Sequence, residues 1–146
     1  MSDPRPAVLV VGAGMYVGGR GTTSDGTVLP TLIQAQSRGL ISNILVAATS
    51  QGSIETLETK LAELNNRLGT RVGIQGYPAG GGPDPLAYRK ALAGLPRPAC
   101  AIVVVPDHLH ASITADVIEA GVHPLVVKPL TPALREAQEL VALAEA

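Results

Sequence analysis

The chain has no Phe, no Trp and a single Cys among its 146 residues. Without Phe or Trp, a core has to be filled by Val, Leu, Ile and Ala, which suits parallel strands covered by Ala-rich helices. The same absence denies the chain a stacking platform for single-stranded nucleic acid. One cysteine excludes an intramolecular disulfide, and Cys100, at the start of an apolar run, reads as packing. Charge is sparse as well: 16% of residues are charged, and 11 Lys+Arg against 12 Asp+Glu leave a net charge of −1. That balance gives no electrostatic reason to expect nucleic acid or an anionic membrane as partner. There is no signal-peptide pattern and no apolar run long enough for a bilayer, so a reducing cytoplasm is the expected compartment. Several motifs are missing too. Gly80-Gly81-Gly82 is followed by no Gly-Lys-Ser/Thr, so it is no Walker loop. No Gly-x-Ser-x-Gly elbow suggests a hydrolase. His108 and His110 have only Asp107 near them at ligand spacing, so no metal site is expected.

What is present is a 46% hydrophobic chain of one-domain size. Five apolar runs alternate with helical patterns: Ala7 to Val11, Ile44 to Ala48, Arg71 to Gln75, Ala101 to Val105 and Leu125 to Val127. Between them the spacing predicts helices over about Thr27 to Arg38, stopped by Gly39, and over Ile54 to Leu68, with Ser53 as N-cap and Gly69 as stop. Shorter helices are expected over Pro85 to Leu95 and Ala111 to Ala120. A last one starts near Pro132 with Thr131 as N-cap. Gly76 to Asp84, rich in Gly and Pro, reads as loop. Strand–helix alternation of this kind argues for an α/β fold, a doubly wound parallel sheet with helices on both faces. Ligands bind such sheets at the carboxyl ends of the strands.

The polar residues gather at those ends. Gly12-x-Gly14 directly follows the first strand, where the first Gly permits a tight turn and the second lets backbone approach a pyrophosphate. The third Gly of G-x-G-x-x-G should stand at residue 17, which is Val17; Gly18 comes one residue late, and a polar segment, Arg20 to Gly26, delays the helix. Gly12, Gly14, Met15 and Tyr16 are therefore the expected cofactor-facing turn. At the exit of the second strand stand Thr49, Ser50 and Gln51, with no carboxylate to bind a ribose diol or to repel a 2′-phosphate. NAD or NADP is expected, with a tilt toward NADP through Ser50. No Arg follows immediately, and an ordinary polar exit turn stays open.

After the fourth strand comes Pro106-Asp107-His108-Leu109-His110, and after the fifth Val127-Lys128-Pro129. Together with the glycine turn these resemble the nucleotide-binding half of the glucose–fructose oxidoreductase / inositol dehydrogenase (Gfo/Idh/MocA) family, whose segments read Pro-Asn-x-x-His and Glu-Lys-Pro. The resemblance implies cofactor contacts from Pro106, Lys128 and Pro129. It also implies that Lys128 lies near the nicotinamide and substrate, and that His110 is either a site residue or a structural one; His108 reads as surface. Val127 replaces the family's Glu, which removes a neighbour of Lys128.

The resemblance further implies an oxidoreductase moving hydride between NAD(P) and a hydroxyl or carbonyl of a sugar or cyclitol. It leads us to expect residues 1–146 to be a truncated domain, inactive alone. A C-terminal substrate domain, carrying an Asp and a His as acid/base groups, would be missing together with the sheet's sixth strand. Small-molecule substrate is the expected partner, with possible self-association. The alternative is a non-catalytic dinucleotide-binding sensor or scaffold, since the family includes regulators and Val127 fits that reading as well.

Overall fold

A computed structural model describes residues 3–146. The strands are β1 (Ala7–Val11), β2 (Ile44–Ala47), β3 (Gln75–Tyr77), β4 (Ala99–Val103) and β5 (His123–Val126). The helices are α1 (Met15–Gly18), α2 (Val28–Ser37), α3 (Gln51–Leu68), α4 (Ala87–Gly94), α5 (His110–Glu119) and α6 (Leu134–Glu145), with a 3-10 turn at Asp107–Leu109 before α5. All strands pair in parallel in the order β3-β2-β1-β4-β5. The chain thus winds outward from β1 in both directions, as a Rossmann-like sheet does.

β1 lies at the centre because its five residues are all apolar and all buried, which only a strand covered on both faces can be. Ala7, Leu9 and Val11 enter one core cluster with Tyr88, Ala91, Ile113 and Val117 of α4 and α5. Val8 and Val10 enter the other, with Leu29 and Ile33 of α2 and Ile54, Leu57 and Leu61 of α3.

Several boundaries differ from the sequence reading. The third strand is Gln75–Tyr77, not Arg71 to Gln75. Asn65 at the end of α3 donates to Val72 O at 2.9 Å and accepts Val72 N–H at 3.1 Å, which holds that stretch to the helix and off the sheet. Gly76 and Tyr77, read as loop, therefore pair with Val46 and Ala47. Helix α3 begins at Gln51 with Ser50 as its N-cap, its Oγ accepting Ser53 N–H at 3.3 Å; Ser53 is not the cap. The apolar period starts only at Ile54, so the polar first turn left no periodic signal. Thr131 is not the N-cap of α6: its hydroxyl donates to Ala133 O at 2.7 Å, and the helix starts at Leu134 behind Ala133. The ladders of β4 and β5 begin two residues earlier than their apolar runs suggested, at Ala99 and His123.

The delayed first helix has a simple geometry. Thr27 N–H donates to Tyr16 O at 2.7 Å, the bond made four residues on in an uninterrupted helix. Here it comes eleven positions on, so seven residues, Arg20 to Gly26, are looped out of a helix whose ladder resumes across the gap.

Candidate functional site

The carboxyl ends of β1, β2 and β4 open into a cavity of about 560 Å³. Its floor is the glycine turn, and its sides come from the exits of β2 and β4 and the starts of α4 and α5. Gly12 has φ +121°, and a Cβ there would overlap the Val104 carbonyl, so this glycine lets the exits of β1 and β4 close on each other. Gly14 differs: a Cβ there would meet nothing within 4 Å. Its bare backbone faces open space inside the cleft, a cradle that a side chain would fill. Gly18, one residue late for the usual pattern, takes the close-packing role, since its Cβ would stand 2.5 Å from Leu57 Cδ1 of α3.

The β2 side is neutral. Thr49 and Ser53 line the cavity, whereas Ser50 does not, its oxygen being committed as the α3 cap. Ser50 and Ser53 hydroxyls lie 3.0 Å apart, and Gln51 donates to Glu55 at 2.8 Å. The loop after β3 is tied to this exit by Asp84 N–H donating to Thr49 O at 2.8 Å. It delivers Pro85, Leu86 and Tyr88 to the wall, which the sequence reading missed. A signal existed: every helix start that follows a strand of this sheet faces the ligand end. Tyr88 donates its hydroxyl to Asp116 at 2.6 Å, where Arg89 Nε also donates at 3.0 Å. Burial, then the Asp116 carboxylate, pushes the Tyr88 phenol up, so the cleft receives its ring and no free phenolate. Met15, Tyr16, Leu86 and Leu109 form an exposed apolar rim.

On the β4 side, Val105 and Pro106 line the wall. His110 lies behind them, fully buried at 0% exposure. Its Nδ1 is 2.6 Å from Pro129 O and its Nε2 is 2.9 Å from Val105 O. The ring bridges two backbone carbonyls, one after each strand. His110 is thus a strut between the turns after β4 and β5, out of reach of the cavity, while His108 is exposed. Lys128 is exposed at the β5 exit, and neither it nor Pro129 lines the cavity. Burial pushes the Cys100 thiol up, which leaves it in the protonated, unreactive form. Among the described residues no group of three His, Cys, Asp or Glu could hold a metal, and no helix is long and apolar enough to cross a membrane.

A doubly wound parallel sheet with a glycine turn at the exit of its central strand, bare backbone facing a cleft, defines a Rossmann-type nucleotide-binding domain. Residues 7–146 match the Gfo/Idh/MocA family, described as an oxidoreductase family with an NAD-binding Rossmann fold. The chain belongs to that family. No curated protein matches it in sequence. Among solved structures it is similar to the WlbA dehydrogenase of Bordetella pertussis in complex with NADH and UDP-GlcNAcA, with a TM-score of 0.62, 16% identity and coverage of 99% of this chain and 34% of that one. GenD2 from gentamicin A biosynthesis, in complex with NAD, gives 0.60, 25% identity and coverage of 99% and 33%. The 3-ketoreductase KijD10 of Actinomadura kijaniata, in complex with NADP, gives 0.56, 22% identity and coverage of 97% and 34%. The chain spans about a third of the length of these proteins.

Proposed function

We propose that the chain binds NAD(P) across the cleft, as the cofactor domain of an oxidoreductase acting on a hydroxyl or carbonyl of a sugar-type substrate. The observation that carries this is the open space in front of Gly14, at the exit of the central strand. The residues fit a dinucleotide: bare backbone where a pyrophosphate needs close approach, an apolar wall beside it, and no carboxylate at the β2 exit. The last feature tilts cofactor choice toward NADP. Gly12, Gly14, Met15 and Tyr16 hold the diphosphate half, while Val105 and Pro106 back the nicotinamide half. Hydride chemistry comes from the nicotinamide when it is bound. Lys128 is the cation available to a substrate oxygen on which charge develops, and His110 holds the two turns that set its position. A sugar-type substrate is supported by family membership and by the UDP-GlcNAcA bound to the WlbA dehydrogenase.

Gly14→Val tests the reading directly. The space around Gly14 admits the side chain, so the melting temperature should hold while affinity for NADH and NADPH falls below detection by calorimetry. Equal affinity in variant and parent would remove the cofactor from this cleft.

A further inference from the structure

We propose that Arg20 supplies the cation that recognises the 2′-phosphate of NADP, reaching the cofactor from the loop inserted into the first helix. The inference rests on the dinucleotide reading above and adds the residue that sets cofactor choice. A 2′-phosphate brings up to two negative charges, and discrimination for it requires a positive group in reach. The β2 exit has none: Thr49 is neutral, Ser50 is spent as a helix cap, and Gln51 donates to Glu55. That exit admits the phosphate without attracting it.

The looped-out segment packs against α3 and is held in one place. Its neck is closed by Gly19 and Gly26, where a Cβ on either would collide with backbone of the opposite side. Lys60, 8% exposed on α3, donates to Gly21 O at 2.5 Å and Ser24 O at 3.3 Å, and pairs with Asp25 at 3.4 Å. Arg67, a further two turns along α3, donates to Asp25 at 2.6 Å. Two cations of α3 are thus spent on fixing a polar loop. Such fixing is what a residue needs if it is to present a side chain reproducibly.

Between this loop and α3 lies a second cavity of about 540 Å³. It shares Ala13, Gly14 and Met15 with the dinucleotide cleft, so the two hollows meet at the glycine turn. Arg20 and Thr56 line it. Arg20 is exposed and pairs with no carboxylate among the described residues, unlike Lys60. The carboxylate lining this cavity, Glu63, lies seven residues beyond Thr56, about 10 Å farther along α3. Glu63 pairs with Lys60 at 3.6 Å, so Arg20 is the cation of this hollow left without a carboxylate partner. A guanidinium offers a phosphate two parallel N–H bonds from one rigid plane.

The test titrates the 146-residue chain with NADPH, NADH, 2′-AMP and 5′-AMP, following binding by calorimetry and by NMR shifts. The parent should prefer NADPH to NADH and 2′-AMP to 5′-AMP. Arg20→Ala should weaken NADPH and 2′-AMP by about tenfold or more, with NADH and 5′-AMP changed less than about twofold; Arg20→Lys should recover part of the loss. Because Arg20 is exposed, the melting temperature serves as a control and should not move. Unchanged NADPH affinity in Arg20→Ala, equal loss of NADPH and NADH, or a parent that prefers NADH would each overturn the proposal while leaving the dinucleotide reading in place. A parent that binds none of the four overturns both.

Discussion

Gly12 and Gly14 stand two residues apart and answer to different demands. The left-handed backbone of Gly12 and its contact with the Val104 carbonyl serve the fold. Gly12→Ala should destabilise the domain by about 1–3 kcal/mol or more from backbone strain and overlap, seen as a lower urea midpoint. Gly14→Val should leave that midpoint alone and remove binding. From the sequence, Gly12 permits the tight turn and Gly14 the approach of a pyrophosphate; that Gly12 must also clear the Val104 carbonyl is visible only once β1 and β4 pair. His110 is similar. Its motif drew attention to it, and its two carbonyl partners, Val105 and Pro129, became visible only when β4 and β5 came together. His110→Leu removes the bridge and leaves a buried carbonyl without its donor, so a loss of about 1–3 kcal/mol is expected in urea unfolding. His108→Ala, at an exposed site, should stay within about 0.5 kcal/mol. Comparable losses for the two would show that His110 is not the strut. Ser50 shows the limit of reading by position: it stands where a ribose contact belongs, yet its oxygen caps α3, a use set by a helix start that carries no apolar signal.

At the scale of elements, the strongly periodic pieces were legible: β1 matched to the residue, and α3 was placed by its apolar face. β3 was not, because what moves its start from Arg71 to Gln75 is the side chain of Asn65, a polar contact invisible to periodicity. The polar interruption after Gly19 was visible as an anomaly, but its meaning was not; only the Thr27-to-Tyr16 bond reveals one helix with a loop extruded from it. Deleting residues 20–26 should therefore let Gly19 run straight into Thr27. We expect the deletion variant to keep its far-ultraviolet circular dichroism and its NADH affinity, while losing any preference for NADPH. A chain that fails to fold would mean the loop is part of the helix's support. The loop's own anchoring should depend on pH. Arg67, hydrogen-bonded to Asp25 with Lys60 adding to it, holds that carboxyl below its ordinary value of 3.8. A carboxyl depressed on folding stabilises its contacts above the ordinary value, and the contribution disappears as pH falls through the depressed one. Amide exchange at Gly21 to Asp25 should accelerate, relative to intrinsic rates, as the solution is taken below about pH 4. Asp25→Asn should be unlocked at every pH, and an acid response that survives in this variant would assign the switch elsewhere.

The whole molecule is uneven in how well it is held. β1 is clamped between two apolar clusters, one under α4 and α5 and the other under α2 and α3, and it pairs with strands on both sides. Toward β5 the support thins. Among the described residues β5 pairs only with β4, and Leu125 on it is 58% exposed. Of α6, Leu140 alone is buried, while Leu134 is 75% and Val141 50% exposed. An isolated helix of this length is marginal in water, so α6 depends on what its apolar face covers. With one buried leucine worth about 2 kcal/mol of transfer free energy, its docking on α5 cannot approach the stability of the central strands. Native-state hydrogen exchange should therefore divide the domain. Amides of α6 are expected to exchange through local opening within minutes, those of β5 next, and those of β1 and β2 only through global unfolding. Leu140→Ala should speed α6 alone, leaving the rates at Leu9 and Leu45 where they were. If that substitution instead lowered protection at Leu9 and Leu45 by the same factor as in α6, the last helix would be part of the same cooperative unit as the sheet, held by more than its one buried side chain.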